Sequence, residues 1–169
     1  MKKLLLMLVT LSGAISAQAL TFTYTAALNG FQEVPQTPSQ GIATIVLTLD
    51  DQSLNATGVG NVSFLSSNNI TGFHIHNAPF GVNGPVAVNI GPAAINTGAG
   101  TINFNVNLGA NFANVKSFLD ARNGYFNIHT DLFPAGEIRG QIAPVPEPAT
   151  MAVLGLGAAA FLRRRRSSR

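Results

Sequence analysis

The chain has 169 residues, no cysteine, 10% charged residues and a formal net charge of +3. Seven of its ten lysines and arginines stand at the ends (Lys2, Lys3, Arg163 to Arg166, Arg169), while between Leu20 and Ile142 Lys116, Arg122 and Arg139 face six acids, Glu33, Asp50, Asp51, Asp120, Asp131 and Glu137. The central stretch is therefore mildly acidic, which excludes the basic footprint of a nucleic-acid binder, and the missing thiols exclude both a disulfide framework and a cysteine metal cage.

The N-terminus reads as an export signal. Met1-Lys2-Lys3 is basic, Leu4 to Ile15 is apolar, and Ala17-Gln18-Ala19 is a small-x-small cleavage site. These features predict a secretory signal peptide over residues 1–19, removed by signal peptidase so that the mature chain begins at Leu20. The stretch 20–142 is about the length of one domain and must be stabilised by an ordinary core.

Period-two alternation dominates that stretch. Phe22, Tyr24, Ala26 and Leu28 share a face against Thr21, Thr23 and Thr25. Ala43, Ile45, Leu47 and Leu49 do the same, and Asp50-Asp51-Gln52-Ser53 then reads as a hairpin turn. Phe73 and Ile75 mark a further strand. Asn83-Gly84-Pro85 is a turn before a short strand from Val86 to Ile90, and Thr97-Gly98-Ala99-Gly100 is another turn. Ile102, Phe104, Val106 and Leu108 alternate with Asn103, Asn105 and Asn107; Phe126 with Ile128, and Ile138 to Ile142, complete the set. Val115, Phe118, Leu119 and Arg122 fall at helical spacing, with Asn114 as N-cap and Asn123-Gly124 as the stop. Seven to nine strands and one short helix predict an all-β fold, an antiparallel β-sandwich or Greek-key barrel. The sequons at Asn55, Asn61 and Asn69 read as chance matches in an Asn-rich chain.

The three histidines are His74, His76 and His129. His74 and His76, two apart on a strand, share its polar face at about 7 Å, and His129 lies opposite the apolar pair of its own strand. Converging imidazoles would bind copper, zinc or nickel, with Glu33, Asp131 or Glu137 adding a ligand or orienting a ring. The alternative is a set of structural histidines hydrogen-bonded to Glu33 or Glu137. No nucleophile motif and no phosphate-binding loop are present, so no catalytic residue is assigned.

The chain closes, over residues 143–169, with Pro146-Glu147-Pro148, an apolar run from Met151 to Leu162, and Arg163, Arg164, Arg165 and Arg166. The prolines keep the lead-in extended. The apolar run predicts a short hydrophobic helix, below the roughly 20 residues of a comfortable span, with its arginines held on the cytoplasmic side. A plain C-terminal membrane anchor fits these features. So does a sorting tag: the three parts together resemble the PEP-CTERM signal of Gram-negative bacteria. That resemblance implies recognition and cleavage by an exosortase after transient anchoring in the inner membrane. It also implies delivery to the cell surface or the exopolysaccharide matrix.

The domain itself resembles the CHRD family. The matching pieces are Leu28 to Pro35, Gly41, His74-Ile75-His76, Asn83 to Val86, Tyr125 to Thr130 and Pro134 to Ile142, with Gln36 standing where a second proline is common. The resemblance implies a β-sandwich or barrel and supplies no catalytic mechanism. Gly72 to His76 also looks like the copper-ligand strand of the Cu,Zn superoxide dismutases, and Ala135 to Gly140 like the segment carrying their active-site arginine. The histidines of a bridging ligand and zinc subsite are missing, which leaves at most a three-histidine copper site. The expected function is thus an exported, non-enzymatic binding or structural protein without cofactor, with extracellular polysaccharide as a partner. The alternative is a copper or zinc protein with a dismutase-like site.

Overall fold

The structure is a computed structural model that describes residues 19–146. The export signal through Ala17, together with Glu147, Pro148, the apolar run and Arg163 to Arg166, lies outside the described residues. Within them the strands are β1 (Thr21–Asn29), β2 (Ile42–Asp50), β3 (Asn55–Ser63), β4 (Ile70–Asn77) and β5 (Val86–Asn89). They continue as β6 (Ile95–Asn96), β7 (Thr101–Asn107), β8 (Gly124–Thr130), β9 (Ile138–Gln141) and β10 (Ala143–Pro144), with α1 (Phe112–Asp120) between β7 and β8.

All ten strands belong to one antiparallel sheet in the order β5-β4-β8-β9-β1-β2-β3-β7-β6, and β10 pairs with the first half of β1. The sheet curls into a half-barrel. Phe73 of β4 meets Phe104 of β7 edge to face at 5.7 Å, although these strands lie near opposite ends of the strand order. Phe126 joins them, and the predicted apolar faces of β1, β2 and β7 line the same core. Helix α1 closes it with Phe112, Val115, Phe118 and Leu119. The predicted class, all-β with one short helix, is the observed one, and its facing layers are parts of a single curled sheet.

The helix ends differ from expectation. Asn114 is not the N-cap: it lies inside α1 and its amide donates to Asn111 Oδ1. A 3₁₀ turn at Gly109–Asn111 leads into the helix instead, and its Gly109 carbonyl accepts the Phe112 N–H. At the other end the left-handed residue is Arg122 (φ 59°). Asn123 N–H donates to Phe118 O and Arg122 N–H to Leu119 O, which is the Schellman arrangement. The helix therefore stops before Asn123-Gly124.

Strand β3 carries no apolar alternation that a sequence reading would catch. Its inward positions are Ala56, Gly58, Gly60 and Val62, and a Cβ on Gly58 would sit 2.1 Å from the Phe104 ring. Glycine is required there because the aromatic ring fills the space a side chain would occupy.

Candidate metal centre

The face of β4, β8 and β9 opposite the core carries a second set of side chains. Register places His74 beside Asn127 and Asn127 beside Arg139; one row away His76 lies beside Tyr125 and Tyr125 beside Gln141. Alternation alone would leave this face in solvent. Two loops cover it, residues 30–41 and 78–85. Arg139, 1% exposed, donates to Asn83 Oδ1, Pro79 O and Val82 O, and its guanidinium stacks 3.4 Å above the Tyr125 ring. Asn83 in turn donates to Val34 O, which ties one loop to the other. Gln141 donates to Ala78 O and Arg122 O.

The three histidines meet at the margin of this covered face. Ring centroids are 5.6 Å apart for His74 and His76, 5.0 Å for His74 and His129, and 6.2 Å for His76 and His129. The first pair is closer than the roughly 7 Å between alternate residues of a strand because the two rings lean toward each other from regularly paired positions on β4. One nitrogen from each ring lies within 4.8 Å of the others, and His74 Nδ1 is 3.2 Å from His129 Nε2. A tetrahedral ion with bonds of about 2.0 Å needs its nitrogens about 3.4 Å apart. The short pair fits as it stands, and small side-chain rotations would close the widest.

The outer hydrogen bonds set the ring tautomers. His76 Nδ1 lies 2.9 Å from Gly84 O and His129 Nδ1 lies 3.0 Å from Pro134 O. A carbonyl only accepts, so both Nδ1 atoms carry protons, and in a neutral ring of this tautomer the lone pair sits on Nε2. His76 Nε2 is buried without a partner. Burial, then the charges of the neighbouring histidines, holds His74 below the usual imidazole range. Burial does the same for His76, against the Gly84 bond and with help from His129 and Arg139. Both rings are held toward the neutral form, the form in which an imidazole can bind a metal. Gly72 floors the site: a Cβ there would come 2.8 Å from His74 Cε1.

The acids are elsewhere. Glu137 is fully buried and accepts from Ser39 Oγ, Ser66 N and Thr130 Oγ. Asp131 is exposed and accepts from Asn69. Neither they nor Glu33 joins the imidazole group: His76 and His129 bond to backbone carbonyls and His74 to His129, rather than to Glu33 or Glu137. Arg139 is committed to loop carbonyls beneath the surface, so it does not present a charge to an incoming anion as a dismutase arginine must. Sequence reasoning gives Tyr125 and Asn127 no role, and gives Arg139 only the anion-guiding role implied by the dismutase likeness, not that of tying down a loop. Their parity with His129 and their pairing through β9 carried the only signal.

Glu33 adds a pH dependence. It is 5% exposed, its Oε1 has no partner, and the neighbouring Asn127 Oδ1 has none either. Both oxygens converge on Gly136 (φ 132°), where a Cβ would come within 2.8 Å of each. Burial pushes the Glu33 carboxyl up to about 7 despite the Arg139 charge. In an unfolded chain it titrates near about 4.3. Between these values the folded state keeps the proton and the unfolded state loses it, so this stabilisation is complete below about 4.3 and is lost as pH rises through about 7. His74 and His76, held below their ordinary range, act in the opposite direction as pH falls. They are common to wild type and Glu33→Gln and cancel in the difference. The stability of wild type minus that of Glu33→Gln, from urea titrations between about pH 4 and 8, should fall by up to about 3 kcal/mol with rising pH. A flat difference would refute it.

A family model described as the CHRD domain matches residues 24–142, and one described as the PEP-CTERM protein-sorting motif matches residues 144–166. No curated protein and no solved structure matches the chain.

Proposed function

We propose, for a chain that belongs to the CHRD domain family and ends in a PEP-CTERM sorting motif, a surface-displayed metal-binding role centred on His74, His76 and His129. The motif makes this an exported protein sorted to the cell surface, with exosortase as its processing partner. The domain holds one copper or zinc ion by three imidazoles and does no chemistry of its own. The observation that carries the reading is the pair of Nδ1-to-carbonyl bonds at His76 and His129, which leave the Nε2 atoms of both rings for another role, with His129 Nε2 lying 3.2 Å from His74 Nδ1. Backbone carbonyls orient metal-bound histidines in this way in established sites. Imidazole without thiolate suits zinc and copper rather than calcium or magnesium.

Three protein ligands leave a coordination position for solvent or an outside group, so the bound ion is suited to exchange or to contact with a matrix component. The exported protein should therefore bind close to one equivalent of Cu(II) or Zn(II), measured by mass spectrometry of metals after dialysis and by titration calorimetry. His129→Ala should weaken binding by about 100-fold, since it removes one ligand and the oriented lone pair. Binding far below one equivalent, or an unchanged affinity in His129→Ala, would favour a structural or matrix-binding role without metal.

A further inference from the structure

We propose that the β2–β3 turn is a docking site for the α-ammonium group created when the export signal is removed. The inference rests on cleavage between Ala19 and Leu20. Leu20 N–H donates to Asp51 Oδ1 at 2.8 Å, and Asp51 N–H donates back to Leu20 O at 3.2 Å. This reciprocal pair continues the β1–β2 ladder one step past Thr21 and Asp50. The two adjacent acids have separate tasks. Asp50 builds the turn, accepting from Gln52 N, Ser53 N and Ser53 Oγ, while Asp51 holds the Leu20 nitrogen. The Leu20 side chain is 60% exposed, so what the turn recognises is the main-chain nitrogen.

Signal peptidase uses one water. The hydroxyl adds to the Ala19 carbonyl carbon, the Ala19–Leu20 bond breaks, the departing peptide leaves as a carboxylate, and the Leu20 nitrogen takes up protons to become an ammonium. That atom already faces the Asp51 carboxylate. Cleavage therefore converts an amide–carboxylate hydrogen bond into an ammonium–carboxylate pair without moving the chain. The same end of β1 holds the exit of the sorting motif: Val145 N–H donates to Thr23 O, and Pro144 lies opposite Tyr24. The docked N-terminus thus braces the strand from which the tail departs. The far end of β1 reaches the histidine rows, with Asn29 opposite Arg139. Leu20 lies nine residues before Asn29, about 30 Å at about 3.3 Å per residue, and Thr23, which meets the tail, lies six residues before it, about 20 Å, so both processed ends leave from the pole remote from the imidazoles.

From Leu20 onward lysine occurs only at position 116, so the mature protein has two kinds of primary amine. Exported wild type and Asp51→Asn would be checked by intact mass for a start at Leu20. Each would then be treated with limiting amine-reactive ester near about pH 7, and acylation at Leu20 relative to Lys116 read by peptide mass spectrometry. Asp51→Asn should raise that ratio by about two- to fivefold, the range of an exposed ion pair. High salt should shrink the difference, because it screens a charge pair and leaves a purely positional bond intact. A start at Leu20 with an unchanged ratio, or a salt-independent difference, overturns the docking. A start at another residue overturns the cleavage reading on which it rests.

Discussion

Glu137→Ala should destabilise the domain by about 4 kcal/mol, a large part of the 5–15 kcal/mol that holds a protein of this size together. The carboxylate is fully buried and has three donors: the hydroxyls of Ser39 and Thr130 and the N–H of Ser66. These come from the loop before β2, from the end of β8 and from the segment between β3 and β4, so one side chain joins three distant stretches of chain. Removing it leaves three donors unsatisfied, two of them (Ser39 and Thr130) in buried surroundings, and bonds to a charged acceptor are worth about 1.5–3 kcal/mol each. Glu137→Gln retains an acceptor but turns an amide toward a donor, and should recover less than half of the loss. Urea unfolding of the three proteins checks the order. A loss below about 1 kcal/mol for alanine would show that the site relaxes or takes in water.

Arg139→Ala should cost about 4 kcal/mol and should also loosen the proposed metal centre. The guanidinium makes three bonds to residues 79–83 and stacks on Tyr125, whose ring stacks on His76 at 4.8 Å. The covering loop carries, near its end, Gly84, the acceptor that orients His76. Without the arginine, amide hydrogen exchange should accelerate in residues 78–85 before it does so in β1 and β2, and metal affinity should fall although no ligand has changed. Arg139→Lys restores the charge but not the planar fork, so it should behave more like alanine than like wild type. Equal exchange rates in the loop of wild type and variant would show that the loop is held by other contacts.

Much of the scaffold is legible in local patterning. Alternation at residues 22–28, 43–49 and 102–108 marked strands whose apolar faces are the observed core, because a half-buried strand leaves its period in the chain itself. It failed at β3, where the inward residues are small because Phe104 fills their volume from a neighbouring strand. It failed at the start of α1, where a 3₁₀ turn supplies the acceptor that a capping side chain would otherwise imitate. The same logic divides the site. Two histidines spaced by one residue must share a face, but whether His129 reaches them depends on which strands become neighbours. Contacts such as Gly84 with His76 depend on where a loop crosses the sheet.

The sequence by itself determined the class of fold, the acidic character of the domain, the sorting motif at residues 144–166 and the common face of His74 and His76. Each is a property of neighbouring residues: composition, period two, or a contiguous run. Only the tertiary structure decided that β4 and β8 lie side by side, which brings His74 within 3.2 Å of a histidine 55 residues away. It also decided that an outward face is roofed by two loops, one tied down by a buried arginine and joined to the other through Asn83. Pairing and covering of this kind are set by packing across the whole sheet, and no short stretch of chain carries that information.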